Sequence, residues 1–76
     1  MSLSNKLNSI LSLSNKSRKE LTVKLDTTVS GLNNKFSRNV FTVSDLIKIA
    51  DFCDCQLSFT FKDGSKIVLD ISDLKE

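Results

Sequence analysis

Apolar residues recur at helical spacing through the first two thirds of the chain and at strand spacing after it. Leu3, Leu7, Ile10 and Leu11 fall at i, i+4, i+7 and i+8, one face of a helix that Ser2 or Ser4 can cap. The polar stretch "SNK", Ser14 to Lys16, breaks that pattern. Ser17 and Glu20 then stand at capping-box spacing, and Leu21 and Leu25 form the buried stripe of a second helix from about Arg18 to Leu25. "DTT" follows, with Thr28 as the expected N-cap of a third helix from Val29 to about Ser37, anchored by Leu32 and Phe36. Thr42 and Asp45 make another capping box. Behind it, Val43, Leu46, Ile47, Ala50 and Cys53 make a fourth helical stripe, while Ile49 and Phe52 lie on its flank and need a separate cover.

From Cys55 the period drops to two. Leu57, Phe59 and Phe61 alternate with Ser58 and Thr60, and Ile67, Leu69 and Ile71 with Val68 and Asp70, around the turn signal "KDGS". A two-residue Asp63-Gly64 loop would pair Phe59 with Val68 and split the apolar rows across both faces. A three-residue loop, Lys62-Asp63-Gly64, pairs Phe59 with Ile67 and Leu57 with Leu69 and gathers one apolar face. This register also gives glycine the left-handed position of a type I turn with a G1 bulge. An isolated hairpin is marginal in water, so that face is expected to pack on the helices, with Ile49 and Phe52 the surfaces it can cover. The predicted fold is α+β and mainly α: four to five short helices including a helix-turn-helix, followed by a C-terminal β-hairpin.

Length makes this one domain, 1–76, helical over about 3–54 and a hairpin over about 55–72. Hydrophobic residues at 39% and charged residues at 26% favour a folded chain over a disordered one. With no Trp, Tyr or Pro, the core has to come from Leu, Ile, Val and five Phe. No apolar run is long enough for a membrane span, and "MSLSNKLNSILSLSNK" is too polar for a secretory leader. The expected location is the cytoplasm, where Cys53 and Cys55 stay reduced. As "CDC", without His or further Cys, they fall short of a four-ligand zinc site and read as ordinary buried or half-buried thiols. No metal or cofactor is expected. Catalysis finds little support either: the chain has no His, no phosphate-binding loop and no nucleophile elbow.

The net charge is only +2, yet it is unevenly spread. Residues 16–39 carry six Lys and Arg against Glu20 and Asp26, a net +4, whereas residues 40–76 carry a net −3. Between Thr27 and Ser44 there is no acidic residue at all. Such a segment is either a solvated charged face or the footprint of a polyanionic partner.

Two short capped helices joined by "LDTT" choose between those readings. The stretches "KSRKELTVKLDTTVSGLNNKF" and "FTVSDLIKIADFCDCQL" resemble the lambda-repressor/Cro-like (Xre-type) helix-turn-helix family over Ile10 to Leu57, about two thirds of the chain. That resemblance implies a sequence-specific DNA-binding transcriptional regulator, repressor-like and of phage or bacterial type, often a homodimer. Its second motif helix, residues 29–37, enters the major groove. Carried over position by position, Val29, Ser30, Asn33 and Asn34 become the base-reading residues. Ser17, Arg18, Lys19, Thr28, Lys35 and Arg38 become the phosphate-backbone contacts. The chemistry agrees: carboxamides pair with adenine, Ser bonds several bases, Val touches a thymine methyl, and cations suit phosphate. The sequence departs from the family where Asp26 stands at a turn position often held by Gly and Val29 at one often held by Gln. Gly31 inside the recognition helix costs about 1 kcal/mol against Ala, so either that helix is loosened or a backbone approaches closely there.

Dimerisation is expected at the hairpin, where Lys66, Val68, Leu69 and Asp70 line an unpaired edge of the strand Lys66–Ile71. The alternative reading is a protein-binding module on the same fold, such as an antirepressor, a phage-encoded inhibitor or an antitoxin. In that case Asn33 and Asn34 are merely polar surface and the partner is a protein.

Overall fold

The computed structural model describes residues 2–74. Four helices, α1 (Leu3–Leu13), α2 (Arg18–Leu25), α3 (Val29–Arg38) and α4 (Val43–Phe52), precede an antiparallel hairpin of β1 (Leu57–Thr60) and β2 (Lys66–Leu69). A 3-10 turn, Ile71–Leu74, closes the described chain. The fold is α+β and mainly α.

Each α-helix begins at a side chain that the sequence supplies locally. Ser2, Ser17, Thr28 and Thr42 are the N-caps, each accepting from the amide three residues on. The box at Thr42 is reciprocal, since the Asp45 carboxylate also accepts from the Thr42 N–H at 3.0 Å. At Ser17 the return half differs: its hydroxyl donates to Glu20 Oε1 at 3.1 Å.

The helix ends are equally uniform. Asn15, Asp26, Asn39 and Asp54 all take a left-handed backbone, with φ between 54° and 59°. In each case the next amide reaches back to a carbonyl five residues earlier: Lys16 to Leu11, Thr27 to Thr22, Val40 to Lys35 and Cys55 to Ala50, all at 2.9–3.1 Å. This is the Schellman arrangement, normally built on glycine. With two glycines in the whole chain, the work falls to Asn and Asp, the residues whose short side chains best tolerate that region.

The core draws on all four helices: Leu7 and Leu11, Leu21, Leu32 and Phe36, and Ile49, with Cys53 beside them. Phe41 meets Phe36 edge to face at 5.1 Å. Helix α4 differs from the expected stripe. Val43 is 60% exposed, and Ile49, assigned to a flank, is a core residue with 2% of its surface accessible. The reason is that α4 is covered on two sides. Leu46 and Ile49 face the bundle, while Ile47 and Ala50 line a groove with Val68, Leu69 and Ile71. Phe52 packs against the core, with the Lys16 ammonium 5.2 Å from its ring.

The hairpin has the register of the three-residue loop: Leu57 opposite Leu69 and Phe59 opposite Ile67. The Phe61 N–H donates to Ser65 O, the Gly64 N–H to Phe61 O, and Gly64 sits at φ 94°. Only the base of the apolar face reaches the helices. Leu57 and Leu69 are half-buried, whereas Phe59, Phe61 and Ile67 remain 63%, 51% and 56% exposed. Strand β2 also ends at Leu69, before the expected Ile71. There Asp70 and Asp73 cap the 3-10 turn, Asp70 Oδ1 accepting from the Ser72 N–H and Asp73 Oδ2 from the Asp70 N–H.

Candidate nucleic-acid interface

Helices α2 and α3 are joined by Asp26, Thr27 and Thr28, so the motif's second helix starts as soon as the left-handed cap of the first has turned the chain. Leu32 and Phe36 point into the core. With 3.6 residues per turn, the face away from them carries Ser30, Asn33, Asn34, Ser37 and Arg38, all exposed, while Val29, on the Leu32 side, is exposed as the first residue of the helix. None is acidic. Ser37 lies at the middle of this face and was missed by motif matching. The i, i+3, i+7 spacing of Ser30, Asn33 and Ser37 was the signal that could have found it.

The cations divide into two groups. Lys19 and Arg38 are exposed and make no ion pair among the described residues. Arg18 and Lys35 are engaged within the fold. The Lys35 ammonium lies 2.8 Å from Asp45 Oδ2, on the flank of α3 turned away from Asn33. The acid-free stretch in the sequence is therefore closed in space by the first acid beyond it. Burial opposes ionisation of Asp45, but hydrogen bonds from Lys35 and from the Thr42 amide, with the Lys35 charge, outweigh it and hold the carboxyl below its ordinary range.

Arg18 opens α2 and is half-buried. Its guanidinium lies 4.0 Å over the Phe36 ring. Nε and Nη2 donate to Asn8 Oδ1 at 3.3 and 3.1 Å, and Nη1 donates to Asn33 Oδ1 at 3.0 Å. The structure thus joins two residues assigned separately, one to phosphate and one to bases, and adds Asn8 and Phe36 behind them. Ser17 and Thr28 are occupied as N-caps, Thr28 Oγ1 accepting from the Gly31 N–H at 2.9 Å.

At Gly31 the close approach is by side chains. A Cβ there would lie 2.7 Å from Thr27 Oγ1 and 3.2 Å from Thr28 Oγ1. No backbone crowds the position, and α3 runs unbroken through it.

The candidate dimer residues sit on the hairpin. Lys66 is exposed and donates to Gln56 Oε1 at 3.2 Å. Val68 and Leu69 are half-buried against α4. Asp70 is exposed and held by its cap bonds; its carboxyl is lowered chiefly by the Ser72 hydroxyl. Cys53 is buried in the core, whereas Cys55 is exposed and its thiol is raised by partial burial, by Cys53 and by Asp54. No helix among the described residues is long and apolar enough to cross a membrane. No protein-family model matches the chain, and neither a curated protein nor a solved structure matches it.

Proposed function

We propose that the chain is a sequence-specific DNA-binding transcriptional regulator, repressor-like and cytoplasmic, that reads the major groove with α3. The observation that carries this reading is the outer face of α3, a helix side of exposed Ser, Asn and Arg without one carboxylate, with Val29 exposed at its N-terminal end. Acid on that surface would repel phosphate, and carboxamides and hydroxyls are the groups that read base edges. Lys19 on α2 and Arg38 at the end of α3 supply the flanking cations for the backbone. The proposed activity is binding, without catalysis. A homodimer joined through the hairpin would place two such helices on two half-sites.

A second reading rests on a different surface. The exposed Phe59, Phe61 and Ile67 suit a protein partner, as for an inhibitor or antitoxin on the same fold. Binding to genomic fragments, including the protein's own promoter, at two salt concentrations separates the two. The DNA reading expects affinity to fall with salt at a slope of about −0.9 per phosphate contact. Lys19→Ala and Arg38→Ala should each reduce that slope by about one and weaken all sequences alike. Salt-independent association, or no DNA binding at low salt, favours the protein partner.

A further inference from the structure

Asn33 is not free to offer either end of its carboxamide. Arg18 carries only N–H donors, so the Asn33 atom facing it has to be the carbonyl oxygen, as the 3.0 Å contact from Nη1 to Oδ1 shows. Nor can Arg18 readily turn aside. Its guanidinium carbon lies 4.0 Å over the Phe36 ring and its other edge is bound to Asn8 Oδ1. A flipped Asn33 would set its NH2 group against the guanidinium, donor against donor. The NH2 group is therefore left on the side away from Arg18, on the exposed face of α3.

We infer that Arg18 is a positioning residue that fixes the Asn33 carboxamide with its NH2 outward, so that α3 presents a hydrogen-bond donor to N7 of a purine. The inference rests on the DNA reading and deepens it. Cytosine offers only the N4–H donor in the major groove, so it leaves the outward NH2 of the held Asn33 without a partner. Purines present N7 as an acceptor in both cases. On guanine the second N–H of Asn33 reaches O6, and on adenine the remaining lone pair of Oδ1 takes the N6–H. Thymine O4 also accepts, but thymine offers the carboxamide no second polar group, whereas a purine offers N7 and a second one. Arg18 thus acts through Asn33 rather than as a phosphate contact.

The test begins with the tightest duplex selected by the wild-type protein from a random-sequence pool, with Asn33→Ala used to locate the base pair that Asn33 reads. Replacing the purine there by its 7-deaza analogue should weaken wild-type binding roughly fivefold to a hundredfold and leave Asn33→Ala binding unchanged. Arg18→Lys keeps the charge and loses the fork; it should relax preference at that one base pair with the salt slope unaltered. Asn8→Ala, which leaves both the Arg18 charge and the Phe36 contact in place, should do the same to a smaller degree. It serves if Arg18→Lys fails to fold. Wild-type indifference to the 7-deaza base, or a cytosine contact, overturns the inference while DNA binding stands. So does an Arg18→Met protein, which loses the charge, that binds all sequences more weakly, with a slope lower by about one and intact base preference. Absence of duplex binding at low salt removes the DNA reading itself, and this inference with it.

Discussion

Gly31 shows how a single position can answer to its neighbours rather than to its own helix. Propensity alone favours alanine there by about 1 kcal/mol. The N-cap hydroxyl of Thr28 and the hydroxyl of Thr27, however, already occupy the space a methyl would need. Gly31→Ala should therefore fail to deliver the propensity gain in the natural chain and recover it when Thr27→Ala removes the nearer oxygen. Urea unfolding of the four members of this cycle should give a coupling on the order of 1 kcal/mol. Strict additivity would show that Thr27 moves aside without cost. The composition of α3 marks Gly31 as unusual at once. Its cause was not legible, because it depends on the rotamers of two threonines in a turn.

At the scale of elements, Asp45 joins two helices: it completes the cap of α4 and pairs with Lys35 of α3. Its carboxyl is held below its ordinary value of 3.8. The resulting stabilisation is fully present above that value and is lost as pH falls through the lower folded-state value. Asp45→Asn retains a capping oxygen and removes the charge. It should destabilise the protein at pH 7 by roughly 0.2–1 kcal/mol, and the difference from wild type should shrink on acidification towards pH ~2. Thermal melts at both ends of that range test this, and a difference constant across pH would detach Asp45 from the linkage. The caps were legible because Ser, Thr and Asp act within one turn of their own helix. The register was legible because parity leaves only one way to gather Leu57, Phe59, Ile67 and Leu69. The partners of Arg18 and Lys35, and the inward turn of Ile49, were not. They depend on how one helix is rotated against the next, which short-range spacing does not specify.

For the whole molecule the open question is assembly. The described chain extends 40 × 33 × 23 Å, so two copies side by side can address half-sites about 34 Å apart. Because the Phe61 N–H bonds Ser65 O, the alternation of an antiparallel ladder turns the backbone groups of Lys66 and Val68 outward on the free edge of β2. If two copies join there, sedimentation at micromolar concentration should show a dimer. Val68→Pro, which removes an outward amide and no ladder bond within the hairpin, should convert it to monomer. A dimer that survives points instead to the exposed Phe59 and Phe61 or to the helices. The left-handed Asn and Asp at the four helix ends carry a different consequence, for tolerance to sequence drift. Glycine adopts that backbone without the steric penalty that an L side chain meets. At Asn15, Asp26 and Asp54, replacement by glycine is thus open as a compensating change of about 0.5–1 kcal/mol each, at positions that are not part of the outer face of α3. Asn39 is different, because its Oδ1 accepts from the Ser4 amide and hydroxyl at 2.7 and 3.0 Å and ties the start of α1 to the end of α3. Three of the four helix ends can therefore absorb damage suffered elsewhere, leaving α3 free to change the bases it reads, while the fourth is held to asparagine by a contact across the fold.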